Sequence, residues 1–324
     1  MISIKSKQEI ENMRVAGKVA YDLLMELKDF IKPGITTKDI DDFAYDFIVS
    51  RGCTPAFLDY EGFPASACVS LNDMVVHGIP DGTKLKSGDI VTVDTGAIYK
   101  GYYSDTAYTY VVGKVNTKTQ KFVDDTRKAL YEGLSVIKEG VVLNEVCKAI
   151  EKVARVNGYG VFEVLTGHGV GKTLHEDPYV PNLSNHESEG IILKSGMTLA
   201  IEPMFSLGTK EVWLMPDEWG IVTRDGSLTA HFEHTILVTK DGYEILTGEW
   251  EMAKEKDGYI ELEGKVLEVI PGGDFKVQLD NGHIVVARVS GKMRLNMIRI
   301  YPGDTVLMEV PICDLTHGRI IYRK

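Results

Sequence analysis

The sequence predicts an α+β fold made of two copies of one half-domain, followed by a small all-β barrel, and three observations carry the prediction. Residues 85 to 94, Leu-Lys-Ser-Gly and an apolar run ending at Asp94, return at 193 to 202 as Leu-Lys-Ser-Gly and an apolar run ending at Glu202. A pair of helix-like segments precedes each copy, joined by Lys32-Pro33-Gly34 in the first and by Lys138-Glu139-Gly140 in the second. The offsets nearly agree, 140 − 34 = 106 and 196 − 88 = 108. Beyond residue 258 the texture becomes strand-like throughout. Two half-domains related by an approximate two-fold axis bring Asp94 and Glu202 to equivalent strand ends facing one another. Two carboxylates do not approach closely without a cation, so the repeat by itself points to a metal site.

Each element has its local reason. Ile10, Met13, Gly17, Ala20, Leu24, Leu27 and Ile31 fall at alternating steps of three and four, one face of an amphipathic helix that Pro33-Gly34 stops. Thr36 followed by Asp39 is a capping-box pattern opening a second helix with Ile40, Phe43, Phe47 and Ile48 on its buried side. The second copy repeats the plan with Phe122, Thr126, Leu130, Leu134 and Ile137, then Asn144 as a cap before Val146, Ile150 and Val153. Segment 88 to 112 is β-rich, and its Lys100-Gly101 predicts a hairpin turn. The α+β domain extends to about residue 248, and the polar, charged stretch 249 to 258 has the composition of a linker. In 259 to 324, Ile260, Leu262, Val266 and Val269 are strand-like, Phe275, Val277 and Leu279 alternate, and Asp280-Asn281-Gly282 predicts a turn into Ile284 to Val289. Two further strands, near 305 to 310 and 319 to 322, make five, which suits a small barrel such as an OB-fold.

Composition limits the function classes. At 324 residues and 44% apolar content the chain can bury a good core and is expected to hold more than one domain. The N-terminus lacks the apolar run of a signal peptide, and no stretch approaches the roughly 20 apolar residues of a membrane span. A cytoplasmic protein without a membrane partner is expected. Cys53, Cys68, Cys147 and Cys313 stand far apart with no Cys-x-x-Cys pair, which indicates neither a disulfide framework nor a zinc ribbon. Charge is uneven: residues 252 to 324 hold 11 Lys+Arg against 10 Asp+Glu, so residues 1 to 251 hold 36 − 11 = 25 against 47 − 10 = 37, a net −12 beside +1. Two bodies with different partners follow.

Asp94 and Asp105 are 11 residues apart with a turn between them, so antiparallel neighbours can present both carboxylates on one face. Glu202 arrives from the repeat. His168 sits among the glycines of Thr166-Gly167-His168-Gly169-Val170-Gly171, and Glu233 in His231-Phe232-Glu233-His234. Four carboxylates and one imidazole balance two divalent cations, the composition of a two-metal hydrolytic centre. Taken one at a time, an Asp or Glu is more often a surface charge and a His more often a hydrogen-bonded neutral ring than a ligand; the set carries the suggestion. Gly171-Lys172-Thr173 resembles the end of a phosphate-binding loop, but Thr166 stands where that motif has its first glycine.

A family resemblance adds to this reading. Asn72-Asp73-Met74-Val75-Val76-His77-Gly78-Ile79-Pro80, Asp94-Thr95-Gly96-Ala97, Gly101-Tyr102-Tyr103-Ser104-Asp105, Gly167-His168-Gly169-Val170-Gly171, Leu174-His175-Glu176-Asp177-Pro178, Glu202-Pro203-Met204 and Phe232-Glu233-His234-Thr235 resemble type I methionine aminopeptidase over residues 1 to 248. The resemblance implies the duplicated pita-bread fold and two divalent ions, Mn, Fe(II), Co or Zn, on Asp94, Asp105, His168, Glu202 and Glu233. It implies removal of N-terminal methionine from nascent polypeptides with a small second residue, by a monomer. Glu202 shuttles the proton, His175 stabilises the oxyanion, and His77 holds the scissile amide or the second residue. Phe57, Tyr60, Phe63, Cys68, Leu174 and Trp219, with His77, match the family's substrate-pocket positions, although Phe57, Phe63 and Leu174 differ from its common residues. His231 stands where glutamine is usual.

The C-terminal stretch from Met252, including Leu279-Asp280-Asn281-Gly282-His283, Val289-Ser290-Gly291-Lys292-Met293-Arg294, Ile298-Arg299-Ile300 and Asp314-Leu315-Thr316-His317-Gly318-Arg319-Ile320, resembles bacterial translation initiation factor one. That likeness implies an OB-fold that binds small-subunit rRNA near the decoding site through Lys292, Arg294, Arg299, Arg319 and Arg323. Leu295 and Met297 replace a basic and an aromatic residue common in that family, and Arg288 adds a charge. A linker of ten residues spans about 30 Å at most, so the resemblance implies two activities in one chain rather than substrate handed along one ribosome.

Overall fold

A computed structural model describes residues 2–248, 259–270, 273–279, 284–290, 293, 299–311 and 317–323. The expected linker 249 to 258, the Asp280-Asn281-Gly282 turn, Lys292, Arg294, Leu295, Met297 and Cys313 lie outside the described residues. The chain forms two compact units, Met1–Glu249 and Trp250–Lys324.

In the first half of the large unit, α1 (Lys7–Phe30) starts at a reciprocal capping box, Ser6 accepting from the Glu9 amide and Glu9 accepting from the Ser6 amide. α2 (Thr37–Ser50) starts the same way through Thr36 and Asp39. Both helices bury their apolar stripe against an antiparallel sheet of Ala67–Leu71, Ile90–Thr95 and Thr106–Val111. In the second half, α3 (Thr117–Ser135) and α4 (Leu143–Asn157) cover a five-stranded antiparallel sheet. Its order is Glu176–Pro181, Thr166–Gly169, Thr198–Ile201, His234–Val238 and Tyr243–Ile245. The reading of Asn144 as a helix cap is corrected: α4 begins at Leu143 and Asn144 lies inside its first turn, buried. Its Oδ1 accepts instead from the Asn185 amide (3.2 Å) and the Ser188 hydroxyl (2.9 Å), so it anchors a distant loop rather than its own helix.

Around their glycine turns the two halves repeat the same hydrogen bonds. Gly34 N–H donates to the Leu85 carbonyl (2.8 Å) and Gly140 to Leu193 (2.9 Å); Leu85 donates to Ile35 and Leu193 to Val141, both at 2.8 Å; Gly88 donates to Val112 and Gly196 to Val238, both at 2.9 Å. Gly88 and Gly196 hold φ of 104° and 91°, a conformation that glycine adopts without a Cβ penalty. The repeated Leu-Lys-Ser-Gly is thus the turn that starts the central strand of each half.

The halves are stitched together where their equivalent strands meet. Glu233 N–H donates to the Ala107 carbonyl (2.9 Å), the Thr106 hydroxyl to the Glu233 carbonyl (2.8 Å), and the Thr109 hydroxyl to the His231 carbonyl (2.8 Å). Thr235 Oγ1 accepts from the Asp105 amide (3.0 Å) and donates to the Asp105 carbonyl (2.7 Å). The segments carrying Asp105 and Glu233 are therefore locked together through buried threonines.

The small unit is a closed barrel of Tyr259–Ile270, Asp274–Leu279, Ile284–Val289, Thr305–Pro311 and His317–Arg323, in the order first, second, third, fifth, fourth. All neighbours are antiparallel except the third and fifth, which are parallel. Val266, Val277, Val285, Ala287, Val306, Met308, Val310 and Ile320 fill it. No helix among the described residues is long and apolar enough to cross a membrane.

Gly17 gives a test of the packing between α1 and the end of the large unit. A Cβ there would sit well inside van der Waals contact with the Leu246 carbonyl oxygen, a backbone atom with little freedom to retreat. Alanine gains about 1 kcal/mol of helix propensity over glycine, and overpacking costs about 1–3 kcal/mol. Gly17→Ala is therefore expected to lower Tm; an unchanged or raised Tm in a melting experiment would mean that this contact is loose.

Candidate metal centre

The stitched seam places five side chains around one point. Asp94 lies in Ile90–Thr95 opposite Ala107, and Asp105 directly precedes Thr106–Val111. Ile201 pairs with His234, so Glu202 and Glu233 face one another just beyond that register. His168 comes from Thr166–Gly169, and its two flanking glycines are required there. A Cβ at 167 would strike the Ala200 carbonyl, and one at 169 the Asp177 carbonyl.

Nearly everything at this point is out of water. Asp105, His168, Glu202 and Glu233 are each under a tenth exposed, and although Asp94 is only half-buried as a residue, its Oδ1 is buried. His168 Nε2 lies 3.5 Å from Asp105 Oδ2 and 3.5 Å from Glu202 Oε1. Its Nδ1 is 2.8 Å from the Gly169 carbonyl, which leaves Nε2 to face the carboxylates. His231 is equally central: 1% exposed, its Nε2 is 3.4 Å from Glu202 Oε2 and 4.0 Å from Glu233 Oε2.

Charge crowding sets the proton chemistry. Burial, then the charges of Asp105 and Glu202, push the Asp94 carboxyl well above the usual carboxylate range. Burial followed by Asp105, Glu202 and Asp94 does the same to Glu233. Burial alone would lower His168, but its bond to Asp105 and the charges of Glu202 and Asp105 outweigh it and raise the imidazole to about 9.

A divalent cation fits this donor set. Asp94 Oδ1, Asp105 Oδ1, Glu233 Oε1 and both ring nitrogens of His231 are buried without a hydrogen-bond partner. Donor atoms of Asp105, His168 and Glu233 lie within 4.8 Å of one another, and so do those of Glu202, His231 and Glu233. Buried acceptors without donors are costly, and cations coordinated by them remove that cost and the mutual repulsion together.

Beside the acidic group opens a cavity of about 260 Å³. It is lined by all thirteen residues named from the sequence in the large unit: Asp94, Asp105, His168, Glu202, Glu233, His77, His175, Phe57, Tyr60, Phe63, Cys68, Leu174 and Trp219. Phe63 meets Trp219 edge-on at 5.1 Å, and Tyr60, Phe57, Cys68 and Leu174 complete the apolar wall. Burial and the charges of Asp94 and Asp105 keep the Cys68 thiol protonated. His175 Nδ1 is 3.1 Å from the Tyr60 hydroxyl, and burial, helped by nearby His168, lowers its pKa so that the ring stays neutral. His77, in a left-handed backbone conformation at φ 58°, is also kept neutral by burial.

Sequence reasoning passed over Met204, Val164, Leu165 and Tyr179, which also line the cavity. Met204 carried a signal in Glu202-Pro203-Met204; Val164 and Tyr179 are largely exposed and carried none. In the small unit, Arg319 pairs with Glu309 and Arg323 with Asp304, and Arg323 Nη1 donates to the Arg299 carbonyl (2.7 Å). Lys292 and Arg294 are outside the described residues.

Known proteins share this architecture. The profile of Metallopeptidase family M24 matches residues 11–240, and that of Translation initiation factor 1A / IF-1 matches residues 226–324. Methionine aminopeptidase 1 of Bacillus subtilis (strain 168) is 44% identical over 247 residues, 76% of this chain and 99% of the relative. The crystal structure of a methionine aminopeptidase from Thermotoga maritima superposes with a TM-score of 0.74 at 44% identity over 77% of this chain and all of that one. The enzyme from Rickettsia prowazekii gives 0.74 at 41% identity over 76% of this chain and all of that one. The chain thus belongs to metallopeptidase family M24 and has its pita-bread fold. Within that family it belongs with the methionine aminopeptidases, as an enzyme with a further C-terminal barrel that matches the initiation-factor profile.

The raised carboxyls make a prediction for the metal-free protein. A carboxyl whose folded pKa lies above its unfolded value contributes stability that is present below the unfolded value and lost as pH rises through the folded one. Stripped of metal by a chelator, the protein should therefore lose stability as pH rises above the ordinary carboxylate range, and reloading with Mn or Co should restore it. Binding near neutral pH should also release protons. Titration calorimetry in buffers of different ionisation enthalpy measures that release, and heats independent of buffer would contradict it.

Proposed function

We propose that residues 1 to 248 remove N-terminal methionine from nascent polypeptides whose second residue is small, using two divalent cations held by Asp94, Asp105, His168, Glu202 and Glu233. The observation that carries the reading is the single cavity in which this acidic cluster adjoins an aromatic and thioether-compatible wall. Bound divalent cations, Mn, Fe(II), Co or Zn, supply Lewis acidity that acidifies water and polarises a carbonyl.

The chain's own residues do the rest. Glu202, at the centre of the cluster, takes the proton of the attacking water and passes it to the leaving amine. His175 is neutral, and with the Tyr60 hydroxyl donating to Nδ1 its Nε2 carries the hydrogen; that N–H meets the oxyanion as it develops. His77, 6.3 Å from the Trp219 ring centroid, holds the scissile amide or the second residue. Phe57, Tyr60, Phe63, Cys68, Leu174 and Trp219 enclose the methionine side chain and exclude water from it. A bulky second residue strikes the rim of the site.

Glu202→Ala is expected to abolish cleavage of Met-Ala-Ser by removing a ligand and the proton shuttle at once. His175→Ala should retain metal and slow turnover by about 10² or more. Leu-Ala-Ser should be the poorer substrate. Near-normal activity in Glu202→Ala would reject the assignment, and equal cleavage of the two peptides would reject the pocket.

For the C-terminal part we propose a charged linker, 249–258, followed by an OB-fold domain, 259–324, that binds the rRNA of the small ribosomal subunit. The barrel's strand order and the initiation-factor profile support this. Lys292, Arg294, Arg299, Arg319 and Arg323 are the proposed contacts; Arg319 and Arg323 would exchange Glu309 and Asp304 for phosphate. In pelleting assays with small subunits, binding should fall with salt and with Lys292→Ala and Arg294→Ala combined, leaving peptidase activity intact. Binding indifferent to both would reduce the barrel to an appendage.

A further inference from the structure

We propose that the polypeptide substrate, beyond its second residue, lies in a shallow apolar hollow next to the cavity mouth, along the strand Val212–Leu214. There Trp213 favours substrates with an apolar or aromatic residue at the third to fifth positions. The inference rests on the peptidase reading proposed above and deepens it.

The reaction itself demands a surface of this kind. A cavity of about 260 Å³ takes one methionine side chain and the bond to be cut. Every later residue of the substrate must leave through the mouth and cross the ground outside. At the mouth stand Val164 and Tyr179, 72% and 66% exposed, so the way out begins over apolar side chains. Val164 also lines a second hollow of about 370 Å³, together with Lys210, Val212, Trp213 and Arg224. Cavity and hollow therefore share a wall. Trp213 is 55% exposed, a large apolar ring that the large unit leaves largely uncovered.

The hollow has an apolar middle and a charged border, the make-up of a binding surface. Its charges are already paired within the protein, Lys210 with Glu163 and Arg224 with Glu211 at 2.6 Å. The Arg224 guanidinium also lies 4.8 Å from the centroid of the Trp213 ring, which holds the indole in place before any ligand arrives. An extended peptide is the occupant that fits. Val212–Leu214 is an edge strand: it pairs with Ile221–Thr223 on one side and with no strand among the described residues on the other. Such an edge offers main-chain donors and acceptors to a peptide laid beside it, while alternate side chains of that peptide turn toward the hollow. At about 3.3 Å per residue, the third to fifth residues cover about 10 Å beyond the second, the breadth of a hollow of this size.

Steady-state cleavage by the metal-loaded full chain tests this with Met-Ala-Ser-Ser-Ser and with the three analogues that carry Phe at the third, fourth or fifth position. In wild-type protein, Phe at one or more of these positions should raise kcat/KM about tenfold over the all-serine peptide. The gain should lie in KM, since the added contact is made equally before and during the reaction. Trp213→Ser should abolish the preference, and Trp213→Phe should keep most of it; a thermal melt confirms that both variants are folded. Equal kcat/KM for all four peptides in wild-type protein, or a preference that survives Trp213→Ser, would overturn the proposal and leave the peptidase reading intact. If no peptide releases methionine, that reading falls and this inference falls with it.

Discussion

Repulsion among buried carboxylates is the constraint on which the rest of this structure depends. Asp94, Asp105, Glu202 and Glu233 converge where the two halves meet, and burial together with their mutual charge pushes Asp94 and Glu233 far above ordinary carboxylate behaviour. Nothing about that arrangement favours folding by itself. What holds it is the seam of backbone and threonine hydrogen bonds between residues 105–109 and 231–235, which brings the groups together regardless of their charge. The scaffold supplies the closeness, and the affinity for divalent cations follows from it.

The duplication explains why so small a domain can do this. Each half ends its central strand in a carboxylate, Asp94 in one and Glu202 in the other, after the same glycine turn. Symmetry then delivers paired carboxylates, and the site's asymmetry comes from additions: the Gly-His-Gly strand in the second half, and the aromatic wall contributed largely by residues 57 to 68 and by Leu174 and Trp219. The cavity has one charged floor and one apolar side. A substrate with a free amine and an unbranched apolar side chain matches both.

Much of this was legible in the chain. The Leu-Lys-Ser-Gly repeat announced the two halves because a turn glycine and an apolar strand are local signals, and the capping box at Thr36-Asp39 is local too; the one at Ser6-Glu9 is equally local and was passed over. The acidic cluster was legible only as a set, since no single carboxylate distinguishes itself from a surface charge by its neighbours in sequence. Asn144 shows the opposite failure. Its position before an apolar periodic run imitates a cap, but its partners are Asn185 and Ser188, some forty residues away, and no local rule contains them. Val164 and Tyr179 were invisible for the same reason: their place at the cavity is a fact of the fold, not of their surroundings in the chain. His231 stood out only as an unusual residue; that its ring is buried with Nε2 3.4 Å from Glu202 Oε2 is a fact of the fold.

The most direct test of the central claim is a crystal structure of the metal-loaded enzyme with anomalous scattering collected at the edge of the added metal. The account predicts two peaks inside the cluster, each within bonding distance of the carboxylates named here. An absence of anomalous density at the seam, or peaks confined to surface acidic groups, would contradict it.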